Sequence, residues 1–296
     1  MMNKLNSLMI IILCTYFILL VGCTNEHKDN IFIIDVVNDE TNIKTELTTW
    51  NQEYFENKEV PAEKELTFYG NVYKGVYSKS IIKKWESYTT NMYYDGNGVK
   101  LGVKDNTDQL VLLNLMNSNF FETEPFKKDV ENSEEYALVL AKEIAESYIN
   151  IEEYELLIDE PETREKIKDE EKYYITYYTF TFAKKINNIY TSDFLSVKIT
   201  SKGNLASLYV GDIGVFNEIG KKDFSIAEIN KMNESKILNV YKSKSYDVID
   251  QNIDYQRLVV TPEGCMAMYT ATDVLVKANK EDNIIETGIC LLSYIK

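Results

Sequence analysis

Catalysis near neutral pH draws mostly on histidine, on activated serine or cysteine, on paired carboxylates and on bound metals. This chain of 296 residues holds one histidine, His27. Because that one imidazole sits in a polar stretch, residues 24–31, that reads as a tether, Ser-His-Asp and Cys-His constellations and His-ligated zinc all lack their central group. No nucleophile-elbow, phosphate-loop, dinucleotide-binding or zinc-protease pattern occurs. The 47 acidic residues offer carboxylate pairs everywhere but gather into no cluster that reads as a hydrolase site. Asp95-Gly96-Asn97-Gly98 and Asp105-Asn106-Thr107-Asp108 have oxygen ligands for calcium, yet lack the regular spacing and closing Glu of a calcium loop. They read better as hairpin turns. No catalytic residue, metal ligand or cofactor is assigned, and the chain is read as a non-enzyme.

Two other groups of residues carry chemistry. Cys265 and Cys290 would be exported, a setting that favours disulfides. If their strands form a hairpin around residues 279–282, Cys290 faces about Ala271. Cys265 then lies about six residues, or ~20 Å, away along the strand. That geometry favours two buried thiols, and a different pairing would restore the bridge. The second group is the tyrosine run of residues 173–178. Tyr173 and Tyr177 would share one face of a strand and are the candidate partner-binding face, for a peptide or a carbohydrate. The plainer alternative is that these rings are sheet core and cross-strand pairs.

The N-terminus reads as an address. Lys4 precedes an uncharged run from Leu8 to Val21, too short at 14 residues to span a bilayer and well matched to a signal-peptide core. Leu20-Val21-Gly22-Cys23 then resembles the bacterial lipobox, which implies cleavage after Gly22 and lipidation of Cys23. Acyl chains would hold the protein on the extracytoplasmic face of the cell membrane, so the lipid bilayer is one partner. Cys14 leaves with the leader, and His27 sits in a polar tether. The net charge of −15 becomes −16 when Lys4 is removed. Such a charge repels phosphate backbones and anionic lipid headgroups, which argues against nucleic acid; it suits a basic protein or a cation as partner, or simply serves solubility.

Two helix starts are legible. Ser133 caps a run with apolar Ala137, Leu140, Ala141, Ile144, Ala145 and Tyr148, a single stripe at helical spacing. Ser225 with Glu228 forms a capping box that opens a second helix through Ile226, Ile229 and Met232. Elsewhere the period is two. Residues 173–182, 194–200 and 205–210 alternate as strands, with Leu195, Val197 and Ile199 inward and a turn at Ser201 to Asn204. Residues 65–115 are strand-rich, broken by the two acidic turns. Val197 to Ala206 also echoes Leu258 to Ala267, each an apolar strand, a Thr-x-x-Gly turn and a return. Either the echo marks a repeated helix-plus-hairpin unit or two short hairpins are alike by chance.

Those two units resemble the PepSY-like domains of Gram-positive envelope proteins, over residues 133–215 and more loosely 225–296. The resemblance implies extracytoplasmic proteins that hold or inhibit peptidases or membrane sensors, and it brings no catalytic residues. A looser likeness to the membrane-associated regulators of cell-wall two-component sensors departs at the lipobox, since those keep an uncleaved anchor. The expected fold is therefore α+β: antiparallel sheets with helices on one face. Its expected parts are a leader (1–22), a tether and lead-in (23–60), a strand-rich segment (61–130), and modules at 131–220 and 221–296. The expected function is non-catalytic binding and modulation of another envelope protein, with a solute- or wall-ligand-binding lipoprotein as the alternative.

Overall fold

The computed structural model describes residues 43–48, 52–116, 133–168, 171–186, 188–218, 224–278 and 284–295. The leader, Cys23 and His27 lie outside them. In chain order the elements are strands β1 (Ile43–Thr48), β2 (Glu53–Phe55), β3 (Glu63–Phe68), β4 (Asn71–Ile82), β5 (Thr89–Tyr94), β6 (Lys100–Lys104) and β7 (Leu110–Asn114). Helix α1 (Ser133–Glu146) and a 3-10 turn (Ile151–Glu153) follow, then β8 (Glu155–Ile158), β9 (Glu162–Lys168), β10 (Glu171–Ile186), β11 (Ile189–Thr200) and β12 (Leu205–Val210). The last elements are α2 (Val215–Glu218), α3 (Ile226–Ser243), β13 (Tyr246–Val260), β14 (Met266–Ala278) and β15 (Ile284–Ile295).

Two compact units emerge, one built from Gln52–Gly220 with Val260–Gly264, the other from the remainder. In the larger unit the strand order is β10-β11-β12-β7-β6-β5-β4-β2, with β3 on β4 and with β8 and β9 on β10. Hairpin turns set the register locally. Asp95 accepts the N–H groups of Asn97 and Val99 on Oδ1, which folds the first acidic turn. Asn106 adopts φ +58° in the second. Both acidic segments are thus hairpin connections. A non-local pairing, Leu113 opposite Leu208, welds the 65–115 strands to the β11–β12 hairpin. Helix α1 packs its Ala137, Ala141, Ile144 and Ala145 stripe onto β10 and β11. Phe180, Phe182, Leu195, Val197, Ile199, Leu208 and Leu113 are fully buried in the same core. Ser133 is the first residue of the helix, and its hydroxyl bonds the Tyr178 phenol at 2.7 Å.

The smaller unit has the order β1-β15-β14-β13, with α3 on β1 and β15. Ser225 caps α3 by accepting the Glu228 N–H. Ile237 and Tyr241 of α3 meet Val274, Val276 and Leu291. A polar seam runs beside them: Asn233, almost fully buried, donates to Thr270 and accepts from Ser293, which pairs with Thr45 of β1.

The expected α+β architecture of two helix-plus-hairpin modules is overturned. Strand accounts for 57% of the structure and helix for 18%, so the sheets, not helix-on-hairpin units, define it. The helix starts were correctly placed, but what lies between them differs. Glu162–Lys168 and Tyr246–Gln256 are too polar to read as strands from local pattern, and both become strands because a long neighbour supplies the ladder. The Thr-x-x-Gly turns themselves are alike: Gly203 N–H bonds Thr200 C=O at 2.9 Å and Gly264 N–H bonds Thr261 C=O at 2.8 Å.

Candidate functional site

An open cleft lies in the larger unit, where β4, β5 and β6 run side by side. Its floor is Asn91 and Tyr93 of β5 with Val103 of β6, and the cleft holds about 560 Å³. One wall is the 57–64 segment, with Asn57, Glu59, Val60, Pro61 and Lys64. The other is the turn from Asp105 to Asp108.

The floor is fixed by a chain of hydrogen bonds. Asn57 N–H donates to the Tyr77 phenol at 2.8 Å, Tyr77 pairs with Ser80 at 2.9 Å, and Ser80 donates to Asn91 Oδ1 at 2.5 Å. Asn91 Nδ2 then donates to Asp105 Oδ1 at 2.9 Å. Ser80 and Asn91 are nearly fully buried, so each group must be satisfied within the protein, and it is. The cross-strand register explains the ladder: Ser80 stands opposite Asn91 and Asn91 opposite Val103. Across the walls Lys64 is ion-paired with Asp108. Burial, together with the charges of Asp108 and Asp105, raises the Tyr93 phenol above its ordinary value. The cleft carries three carboxylates, Glu59, Asp105 and Asp108, against one ammonium, Lys64.

A second set of ionisable groups is sealed. Lys83 donates to Glu86 at 2.7 Å and to the Tyr209 phenol at 2.9 Å, and Tyr209 also bonds Glu86. Asp212 accepts from Ser87 N–H at 2.9 Å and from the hydroxyls of Ser87 and Ser192 at 2.5 and 2.6 Å. Asp193 accepts from the Tyr154 phenol at 2.5 Å and from Gly214 N–H at 3.0 Å. Burial raises the carboxyls of Glu86, Asp212 and Asp193; Lys83 opposes it at Glu86 and the serine donors oppose it at Asp212. With exposures of 3%, 2% and 0%, these acids meet no substrate unless the sheet opens. Their geometry is that of a clasp fastening residues 83–88 to 192–194 and 209–212.

The tyrosine face predicted on β10 is divided. Tyr177 has no exposed surface; its ring lies 6.0 Å from the Arg164 guanidinium and 5.9 Å from Lys198 Nζ. It is fully buried within the hydrophobic core of the larger unit and offers no surface to a partner. Tyr173 pairs in register with Lys166, and its side chain lies outside the described residues. Among the described side chains of this strand the exposed ring is Tyr174, whose phenol donates to Glu165.

Lys198, which sequence reasoning passed over, stands on the far side of β11 from Val197 and Ile199. Burial pushes its ammonium down to about 7. It reaches Glu162 at 3.2 Å, a carboxylate that also holds Arg164. Among the described residues no group of three or more His, Cys, Asp or Glu is placed to hold a metal, and no helix is long and apolar enough to cross a membrane. Asp105 and Asp108 were legible as a turn but not as a site, since Glu59 and Lys64 come to it from a segment more than 40 residues earlier in the chain. Comparisons with protein-family models, curated proteins and solved structures gave no match.

Proposed function

We propose that the mature chain is a lipoprotein held by acylated Cys23 on the extracytoplasmic face of the cell membrane, where it binds and modulates another envelope protein without turning it over. The observation that carries this reading is the division of polar groups. The open cleft presents a fixed, hydrogen-bonded floor suited to recognition, whereas the most deeply buried carboxyl and ammonium groups, Glu86, Asp193, Asp212 and Lys198, are each held by a partner inside the protein. Recognition sites need preorganised contacts, and catalysis needs reactive groups at the substrate.

The test has two parts. Metabolic labelling with a palmitate analogue should mark the wild type and not Cys23→Ala; equal labelling of both removes the anchor. Crosslinking in intact membranes should capture a defined envelope protein with the wild-type chain. Release of product from peptide, glycan or phosphoester by the pure protein would overturn the binding reading. A second reading, capture of a solute or wall fragment, is favoured by the cleft's volume, which suits a small ligand. Saturable binding of soluble wall fragments with no protein crosslink would establish it instead.

A further inference from the structure

We infer that the cleft between the 57–64 segment and the Asp105–Asp108 turn is a docking site for a basic side chain, lysine or arginine, on an extended segment of a protein partner. This rests on the binding function proposed above and names the chemistry of the partner. The hydrogen-bond inventory of the walls points to it. Both polar atoms of the Asn91 amide are engaged, Oδ1 by Ser80 and Nδ2 by Asp105. The one ammonium, Lys64, is committed to Asp108. Thr107 gives its hydroxyl hydrogen to the Lys104 carbonyl. Asp105 is engaged on both oxygens, by Asn91 and Asn106. Beside the Asn57 amide nitrogen and the Tyr93 hydroxyl, the uncommitted groups of the lining are carboxylate oxygens. The Glu59 carboxylate has no donor among the described residues, and only its N–H is used, toward Asn57. Asp108 is largely exposed beyond its single bond to Lys64. A lining whose charge is net negative, with the Glu59 carboxylate uncommitted, is matched by a ligand that brings positive charge and N–H donors.

Volume and shape narrow the class. About 560 Å³ is far larger than a bare metal ion and accommodates a long side chain with the backbone on either side. A sugar ring would need an open aromatic face. The ring at the floor, Tyr93, is 2% exposed and packs edge-on to Tyr77 at 5.8 Å. The net charge of −15 adds long-range attraction for a basic segment and repels an acidic one.

The test uses the full-length protein in detergent micelles and a fluorescent, end-capped peptide of alternating Lys and Gly. Its controls are the same peptide with norleucine for Lys, and soluble wall glycan. The Lys peptide should bind at low salt and weaken as salt rises. Glu59→Gln with Asp108→Asn should weaken it about tenfold. Glu134→Gln with Glu135→Gln on α1 removes equal charge away from the cleft and should leave affinity within twofold. Equal weakening by both pairs, no binding of the Lys peptide, or displacement by glycan but not by Lys peptide each overturns the inference. Membrane crosslinking with the cleft variant separates this from the function itself. If an envelope protein is captured equally by wild type and variant, the cleft assignment fails while the binding function stands. If the peptide binds but no envelope protein is captured, the function fails while the cleft chemistry stands.

Discussion

Ala271 stands directly opposite Cys290 in the β14–β15 register, and this pairing keeps the two cysteines of the smaller unit apart. Cys265 lies six residues before Ala271, a separation of ~20 Å along an extended strand. Cys290 is buried, with the Tyr269 phenol 3.2 Å from its sulfur, and Cys265 is exposed, contrary to the expectation that both thiols would be interior. Of the two thiols among the described residues, only Cys265 should therefore react fast with a maleimide in the folded protein. Cys265→Ser should abolish that reaction, and Cys290 should react only in denaturant. Loss of a tryptic crosslink on reduction would show a bridge and refute the register.

Lys198 makes stability depend on pH. Its ammonium titrates near 7 in the folded chain and at the ordinary 10.5 when unfolded. Between these values the unfolded state holds a proton that the folded state has released, so stability rises with pH across that window. Below pH 7 the cost of burying the charge stands in full. Lys198→Met should stabilise the protein at pH 6 by a few kcal/mol and by much less at pH 10. Urea melts of both proteins at the two pH values measure this, and a gain independent of pH would contradict it.

The clasp should behave as a buried ion pair. Lys83→Met alone leaves Glu86 desolvated with its cation removed, and should cost about 3–5 kcal/mol. Lys83→Met with Glu86→Leu removes both charges and should recover most of that loss. Chemical denaturation of the two variants decides it; a double variant as weak as the single would mean that packing, not charge, holds the clasp.

The twin turns separate backbone strain from crowding. Gly203 and Gly264 share φ values of +81° and +76°. A Cβ on Gly203 would lie 2.6 Å from the Tyr136 ring, whereas one on Gly264 meets nothing within 4 Å. Alanine at either should cost about 1–2 kcal/mol from the left-handed backbone. Gly203→Ala should cost a further ~1–3 kcal/mol from overpacking against α1. Equal losses in thermal melts would place Tyr136 away from the turn.

Much of the local structure was legible. Leu195, Val197 and Ile199 alternate inward as their spacing demands, the Ser201–Asn204 turn connects β11 to β12, and Ser225 caps α3. Pairings between distant segments were not. Nothing in the spacing around Leu113 says that it meets Leu208, and Thr45 finds Ser293 across almost the whole chain. Local periodicity reports which face of a strand is apolar, not which strand lies beside it. The same limit hid the cleft, whose acids come from two separate segments. Tyr177 was misread for a related reason: alternation assigns Tyr177 and Phe180 to opposite faces, and in this unit both faces of β10 are covered there.

The pairing of β1 with β15 also sets how the protein bears tension. Ile43 stands opposite Ile295 and Thr48 opposite Cys290, so six residue pairs and the Thr45–Ser293 hydrogen bond hold the strand. On the lipoprotein reading proposed above, a pull transmitted from the membrane would load this strand from its Ile43 end. Directed along the strand, that pull loads all six pairs in shear. Directed across it, the pairs peel singly, beginning at Ile43 and Ile295. Once β1 has come away, the tether gains the length of a six-residue strand, about 20 Å, and β15 is left as an open edge on a sheet still capped by α3.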